Sequence, residues 1–163
     1  MWDFFKKFKR YLSLFRGVNP ISMDGKGRIA MPTRYRDRLL DSSAGRLVVT
    51  IHLQAKCLLI YPLPVWEGIE IQIQELPALK AEVGRLQRLV LGYASDIELD
   101  GSGRMLLPNA LRSHAQLDKK VVLVGQGKKL ELWSEDLWDL ERKSGLGMVA
   151  DDPIPEELFT ISF

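Results

Sequence analysis

Two short stretches of this chain set charged side chains at a spacing that could do chemistry. Asp24-Gly25-Lys26-Gly27-Arg28 and Asp100-Gly101-Ser102-Gly103-Arg104 each place a carboxylate four residues ahead of a guanidinium, across two glycines. Glycine reaches positive φ without penalty, and an aspartate can fold its carboxylate onto nearby backbone N–H groups, so each stretch reads as a braced tight turn. In this reading Asp24, Gly25 and Gly27, and Asp100, Gly101 and Gly103, shape the loops. A glycine-rich tip lets the backbone come close to a phosphate, and an arginine at its base can reach a phosphate oxygen or a guanine edge. That chemistry is anion recognition rather than bond making.

Other constellations carry less. Gly25-Lys-Gly-Arg-Ile-Ala30 matches the glycine spacing of a dinucleotide-binding turn. Such a turn needs a helix opening among its glycines, whereas here a strand pattern and then Pro32 follow, and the second copy has Leu106 at the third small position. Asp96, Glu98 and Asp100 alternate as in a calcium loop, but Leu107 stands at the twelfth position, where that loop needs a glutamate. A strand with an acidic outer face accounts for them better. His52 and His114 have no neighbour at metal-ligand spacing, and the single cysteine, Cys57, sits beside Leu58–Ile60 as a small buried hydrophobe. No nucleophile–base arrangement is recognisable, so neither an enzyme, a metal nor a cofactor is expected.

The two stretches belong to an internal repeat. Ile21–Arg36 recurs 76 residues later as Ile97–Arg112, with seven of sixteen positions identical, including Pro32/Pro108 and Arg36/Arg112. Average residue usage gives about one chance match in such a window. Downstream the offset falls to 72, aligning Tyr61 with Trp133 and Trp66 with Trp138, so the first copy holds four extra residues, placed most economically in a loop near Asp41–Arg46.

The elements that position the loops follow from periodicity. Ile21, Met23, Ile29 and Met31, and likewise Ile97, Leu99, Met105 and Leu107, alternate at the period of strands. Pro32 and Pro108 stand where a first helical residue would, opening short helices that end near Leu40 and His114. Strand pairs are predicted at Leu47–Leu53 with Leu58–Tyr61 and at Val121–Gly125 with Leu130–Trp133. Helices are predicted at 64–73, 79–91 and 134–143, the last capped by Ser134 with Asp136 in its first turn. A half of about 50 residues buries little surface alone, so the two copies should share one core about a local pseudo-twofold axis.

Composition agrees with a folded domain: 163 residues, 46% hydrophobic and 27% charged. No apolar run reaches the roughly 18 residues of a membrane span. The net charge of +2 conceals a basic first quarter, where residues 14–40 carry six Lys or Arg against Asp24 and Asp37. The last twenty residues carry Asp151, Asp152, Glu156 and Glu157 and no Lys or Arg. Such asymmetry suggests a polyanion partner, or else a solvated basic face.

Phe15-Arg-Gly, Met23-Asp-Gly-Lys-Gly-Arg-Ile, Pro32-Thr-Arg-Tyr-Arg-Asp-Arg-Leu and the second Asp100-Gly-Ser-Gly-Arg closely resemble the MraZ family of bacterial transcriptional regulators, within the AbrB-like swapped-hairpin superfamily. The likeness runs from about Phe15 to Lys143 and includes Cys-Leu-Leu-Ile-Tyr-Pro-Leu-Pro at 57–64 and Leu-Val-Gly-Gln at 123–126. It implies an α+β fold of two tandem AbrB-like swapped-hairpin β units, an intrachain pseudo-dimer flanked by helices. It implies association of chains into a homo-oligomeric ring on the nucleoid, and the single cysteine, which can form no intrachain disulfide, fits a reducing, cytoplasmic setting. It implies binding of double-stranded DNA at tandem repeats in the promoter of the regulator's own cell-division and cell-wall gene cluster. In the family the arginine of the first Asp-x-x-x-Arg is central to DNA binding, which maps onto Arg28, with Arg104 its counterpart. Charge and position add Lys26 and Arg36. An intramolecular ion pair with Asp24 is the competing role for Arg28. Lys26, Arg34 and Arg38 are replaced by Ser102, Ala110 and His114, so the first copy is expected to face DNA more directly. The rival reading is an oligomeric nucleoid-associated or protein-interaction scaffold without sequence choice.

The expected organisation is a first unit at 14–75, a linking helix at 76–93, a second unit at 94–143 and a flexible acidic tail at 144–163. Residues 1–13 depart from the family pattern. On a helical wheel Met1, Phe4, Phe5, Phe8, Tyr11, Leu12 and Phe15 fall within about 120°, with Lys6, Lys7, Lys9 and Arg10 outside and Trp2 the one apolar exception, as in a basic helix that lies on an anionic membrane or docks on a partner. The favoured alternative is a start of translation at Leu14, the earlier residues being a product of gene-start assignment.

Overall fold

A computed structural model describes residues 1–3, 14–151 and 153–162. The chain is α+β, as expected. Strands β1 (Phe15–Ser22) and β2 (Arg28–Ala30) lead into helix α1 (Thr33–Ser43), then β3 (Arg46–Ile51), β4 (Leu58–Pro62), α2 (Leu63–Gln74) and α3 (Ala81–Tyr93). The second copy supplies β5 (Ser95–Glu98), β6 (Arg104–Leu106), α4 (Asn109–His114), β7 (Lys120–Gly127), β8 (Lys129–Ser134) and α5 (Glu135–Asp151).

Six strands form one open antiparallel sheet in the order β1-β7-β8-β4-β3-β5, while β2 and β6 form a separate two-stranded sheet. The leading strand of each copy pairs with the hairpin of the other: β1 runs beside β7, and β5 beside β3. The copies are therefore exchanged rather than merely adjacent. Between the two sheets and α1 and α4 lies one core containing Ile29, Met31, Leu39, Leu47, Ile60, Met105, Leu107, Leu111, Leu123 and Leu132, all nearly inaccessible. On the outer face of the large sheet, α2 and α3 cover Val48 and Tyr61 through Trp66, Ile69, Leu86 and Val90. The start of α5 covers Val122 and Trp133 through Leu137 and Trp138, whose indole lies 5.9 Å from that of Trp133. The Ser134 hydroxyl accepts the Leu137 N–H at 3.2 Å, the expected helix cap. Cys57 is fully buried in this second cluster, as expected.

Several expectations are corrected. β1 begins at Phe15, six residues before Ile21, and the Phe15 ring meets Tyr35 edge-on at 5.5 Å in the core. Phe15 is thus a strand residue and does not continue an N-terminal helix; the rest of that helix falls mainly on residues 4–13, outside the described residues. Pro32 and Pro108 occupy the position before the first helical residue, their fixed φ of −51° and −57° joined to extended ψ. The extra length of the first copy falls in a helix rather than a loop: α1 has eleven residues and α4 six, while the connection that follows is shorter in the first copy. α1 closes on Ala44, left-handed at φ 53°, whose N–H returns to Leu40 while that of Gly45 returns to Leu39. Finally, α5 does not stop at Lys143 but continues through Gly145 and Gly147 to Asp151, and a 3₁₀ turn forms at Glu156–Leu158, so the acidic segment begins as helix. No helix among the described residues is long and apolar enough to cross a membrane.

Candidate nucleic-acid interface

The two Asp-x-x-x-Arg loops connect β1 to β2 and β5 to β6, and their geometry is the same bond for bond. In the first, the Asp24 N–H donates to the Arg28 carbonyl at 2.9 Å and the Gly27 N–H to the Asp24 carbonyl at 3.0 Å. Asp24 Oδ1 accepts the backbone N–H groups of Lys26 and Arg28, both at 2.9 Å, and Oδ2 accepts Arg28 Nε at 2.8 Å. In the second, Asp100 Oδ1 accepts Ser102 and Arg104 N–H at 2.9 Å, and Oδ2 accepts Arg104 Nε at 3.0 Å. One carboxylate thus satisfies three donors and closes a five-residue turn. The Arg28 N–H, then its guanidinium, holds the Asp24 carboxyl down at about 2; the Arg104 N–H lowers Asp100 in the same sense.

Within each loop the glycines differ. Gly27 and Gly103 take φ of +84° and +73°, where a side chain would be strained. Gly25 and Gly101 do not adopt positive φ and, among the described residues, have no neighbour within 4 Å of where a Cβ would stand. Only the second glycine of each loop is demanded by conformation.

The ion pair weighed as the alternative role of Arg28 is present, and so is exposure. Each arginine spends Nε on its aspartate, while the side chains of Arg28 and Arg104 remain 32% and 41% accessible. The terminal nitrogens of both guanidinium groups make no hydrogen bond among the described residues. Lys26 is exposed at the tip of the first loop, where the second has Ser102. The pairing of β2 with β6 brings both loops onto one small sheet, with Arg28 opposite Leu106 and Arg104 opposite Ala30.

Three other first-copy cations, Arg34, Arg36 and Arg38, have internal partners. Arg36 is half-buried and donates Nε to the Met31 carbonyl at 2.7 Å. Arg34 donates to Asn19 Oδ1 and lies over the Tyr35 ring, 5.0 Å from its centroid. Arg38 donates to the Leu14 carbonyl, tying α1 to the start of β1. Of the three replacements between copies, only Lys26 against Ser102 changes the charge at a loop tip. Arg112 does not stand out in the sequence as a site residue, although its identity with Arg36 in the repeat marks it: a cation kept in both copies outside the loops. No group of three or more potential metal ligands occurs among the described residues.

A protein-family model described as "MraZ protein, putative antitoxin-like" matches residues 14–89 and again 90–144. A protein of Azotobacter vinelandii named "Transcriptional regulator MraZ" is 53% identical over 147 residues, covering 89% of this chain and 97% of the relative. Proteins of the same name from Pseudomonas aeruginosa and Alkalilimnicola ehrlichii are 51% identical over 146 residues and 48% over 149, covering 89% and 91% of this chain and 97% and 99% of the relatives.

Proposed function

The chain belongs to the MraZ family, and from that premise we propose that it is a DNA-binding regulator of transcription rather than an enzyme, gripping double-stranded DNA through the loops at Asp24–Arg28 and Asp100–Arg104. The observation that carries this reading is the pairing of a partly accessible guanidinium, bonded through Nε alone, with a first glycine that no described residue crowds. A residue without a side chain, in open space at a loop tip, suits close approach of an outside backbone such as a phosphodiester. Arg28 and Lys26 supply the stronger grip and Arg104 the weaker, since the second tip carries no lysine. Arg36, expected from charge and position to contact DNA, instead acts from behind the second loop, since its side chain lies against Gly103 and bonds the Met31 carbonyl.

The sites read are tandem repeats in the promoter of the protein's own gene cluster, concerned with cell division and the cell wall. Chains assemble into a homo-oligomeric ring that repeats the loop at fixed spacing, so that weak single contacts gain affinity through effective concentration. The test is a titration of the full chain with this promoter and with the same bases scrambled. The promoter should bind tighter at physiological salt, and Arg28→Ala should remove that preference with the oligomer intact. It should also lower the log–log salt slope by about 0.9 for each phosphate no longer neutralised. Equal affinity for both DNAs would overturn sequence-specific regulation and leave an oligomeric scaffold.

A further inference from the structure

The hydrogen bonds of Asp24 and Asp100 fix the shape of each loop but not how it is aimed. Two side-chain contacts cross between the copies at the loops. The side chain of Arg112, from α4 of the second copy, covers Gly27 of the first loop so closely that a methyl group there would lie 2.7 Å from Nε and Cζ. Its counterpart Arg36, from α1 of the first copy, covers Gly103 of the second loop in the same way, a methyl there lying 2.6 Å from Cδ. Backbone bonds follow the same exchange: Met31 N–H donates to the Gly103 carbonyl at 2.8 Å and Leu107 N–H to the Gly27 carbonyl at 2.9 Å. Arg36 completes the circuit by bonding the Met31 carbonyl, whereas Arg112 Nε is buried with no acceptor among the described residues. Neither arginine is ion-paired among the described residues. Two long cations thus lie against the glycines from which the recognition arginines project.

We propose that Arg112 and Arg36 are reciprocal positioning residues, Arg112 aiming the Asp24–Arg28 loop and Arg36 aiming the Asp100–Arg104 loop, so that each copy of the repeat sets the DNA-contacting loop of the other. The inference rests on the DNA-binding reading above for its functional consequence, and on the contacts alone for its mechanical one. A loop locked by its own carboxylate still pivots at its ends, and a planar guanidinium stem over the Cα of the positive-φ glycine removes that freedom.

Hydrogen–deuterium exchange of the full chain decides the mechanical part. Arg112→Met should speed exchange of the Lys26 and Arg28 amides by about tenfold or more while leaving Ser102 and Arg104 near wild type, and Arg36→Met should do the reverse. If R112M does not fold, Arg112→Lys, which keeps stem and charge, should show the same crossed pattern with smaller amplitude. Acceleration confined to the variant's own copy, or equal in both loops, overturns the proposal, since a general loss of stability moves both. In the promoter titration R112M should weaken binding with an unchanged salt slope. A slope lowered by about 0.9 would make Arg112 a phosphate contact and overturn its positioning role. If the wild-type chain binds no DNA, the reading of function fails, and the crossed exchange pattern still decides the clamp.

Discussion

Ile29 lies directly opposite Met105, the residue that occupies its own place in the other copy, at the centre of the β2–β6 sheet. Both are 1% exposed. The pair marks the pseudo-twofold axis: Arg28 faces Leu106 on one side and Arg104 faces Ala30 on the other. The three residue pairs of this small sheet tie the two loops to each other, while β1 and β5 tie each loop to the larger sheet.

Truncation at this axis should be costly in stability. Ile29→Ala or Met105→Ala deletes side chains buried among Met31, Leu39 and Leu107 and is expected to lose about 2–5 kcal/mol in denaturant unfolding. Because the two side chains oppose each other, the double variant should deviate from additivity. An additive result would show that the two-stranded sheet does not couple the copies.

The glycines of each loop should separate stability from binding. Gly27→Ala and Gly103→Ala meet both a left-handed backbone and an arginine stem, and each is expected to lose more than about 1 kcal/mol. Gly25→Ala and Gly101→Ala have open space and should alter stability by less than about 0.5 kcal/mol. Gly25→Ala should nevertheless weaken promoter binding. Unfolding curves and DNA titrations of the four variants check both statements.

Acid should release the first loop late. The Asp24 carboxyl is held at about 2 against an ordinary 3.8, so the unfolded chain takes up this proton first. The stabilisation is complete above about pH 4 and disappears as pH falls toward 2. Carboxyl-carbon NMR should give a midpoint near 2 for Asp24, and Asp24→Asn should remove that part of the pH dependence while speeding exchange of the Arg28 amide. A midpoint at the ordinary value would mean that the turn is not braced by this side chain in solution.

Cys57 should be inert until the protein unfolds. It is fully buried, and burial followed by the nearby Glu131 and Glu141 carboxylates pushes its thiol far up. Iodoacetamide at neutral pH should label it only in denaturant. Rapid labelling of the folded chain would show that the cluster with Val122, Val124 and Trp133 opens.

The loops and a core shared by the two copies were legible because a repeat of sixteen residues preserves what both copies need: the aspartate, the glycines, the arginine and the alternating apolar residues; the exchange of strands was implied only by the family resemblance. What stayed hidden depends on partners far along the chain. Phe15–Ser22 reads weakly as a strand because Gly17 and Pro20 interrupt it; pairing with β7 overrides that, with Gly17 tolerated at φ +111° beneath Arg34. Charge counting credits Arg34 and Arg38 to the outer surface as free cations, whereas Arg34, though exposed, and the half-buried Arg38 each donate to a group in or just before β1. Glu131 gives no signal in the sequence: it alternates with apolar neighbours yet is 6% exposed, its carboxylate accepting the indole N–H of Trp133 at 3.0 Å. In α5, Gly145 and Gly147 argue for an end that the continuing backbone ladder does not observe.

The exchange of β1 and β5 means that neither half of this polypeptide can be cut away whole: a fragment ending before β5 would lose the neighbour of β3 and leave β1 without β7. A gene fusion that joins two identical subunits in this manner makes the partnership permanent, because each half is translated with its mate attached. From then on a change in one half no longer appears in both. Helices α1 and α4 can then differ in length, and one tip can carry a lysine where the other carries a serine, without either half having to fold alone.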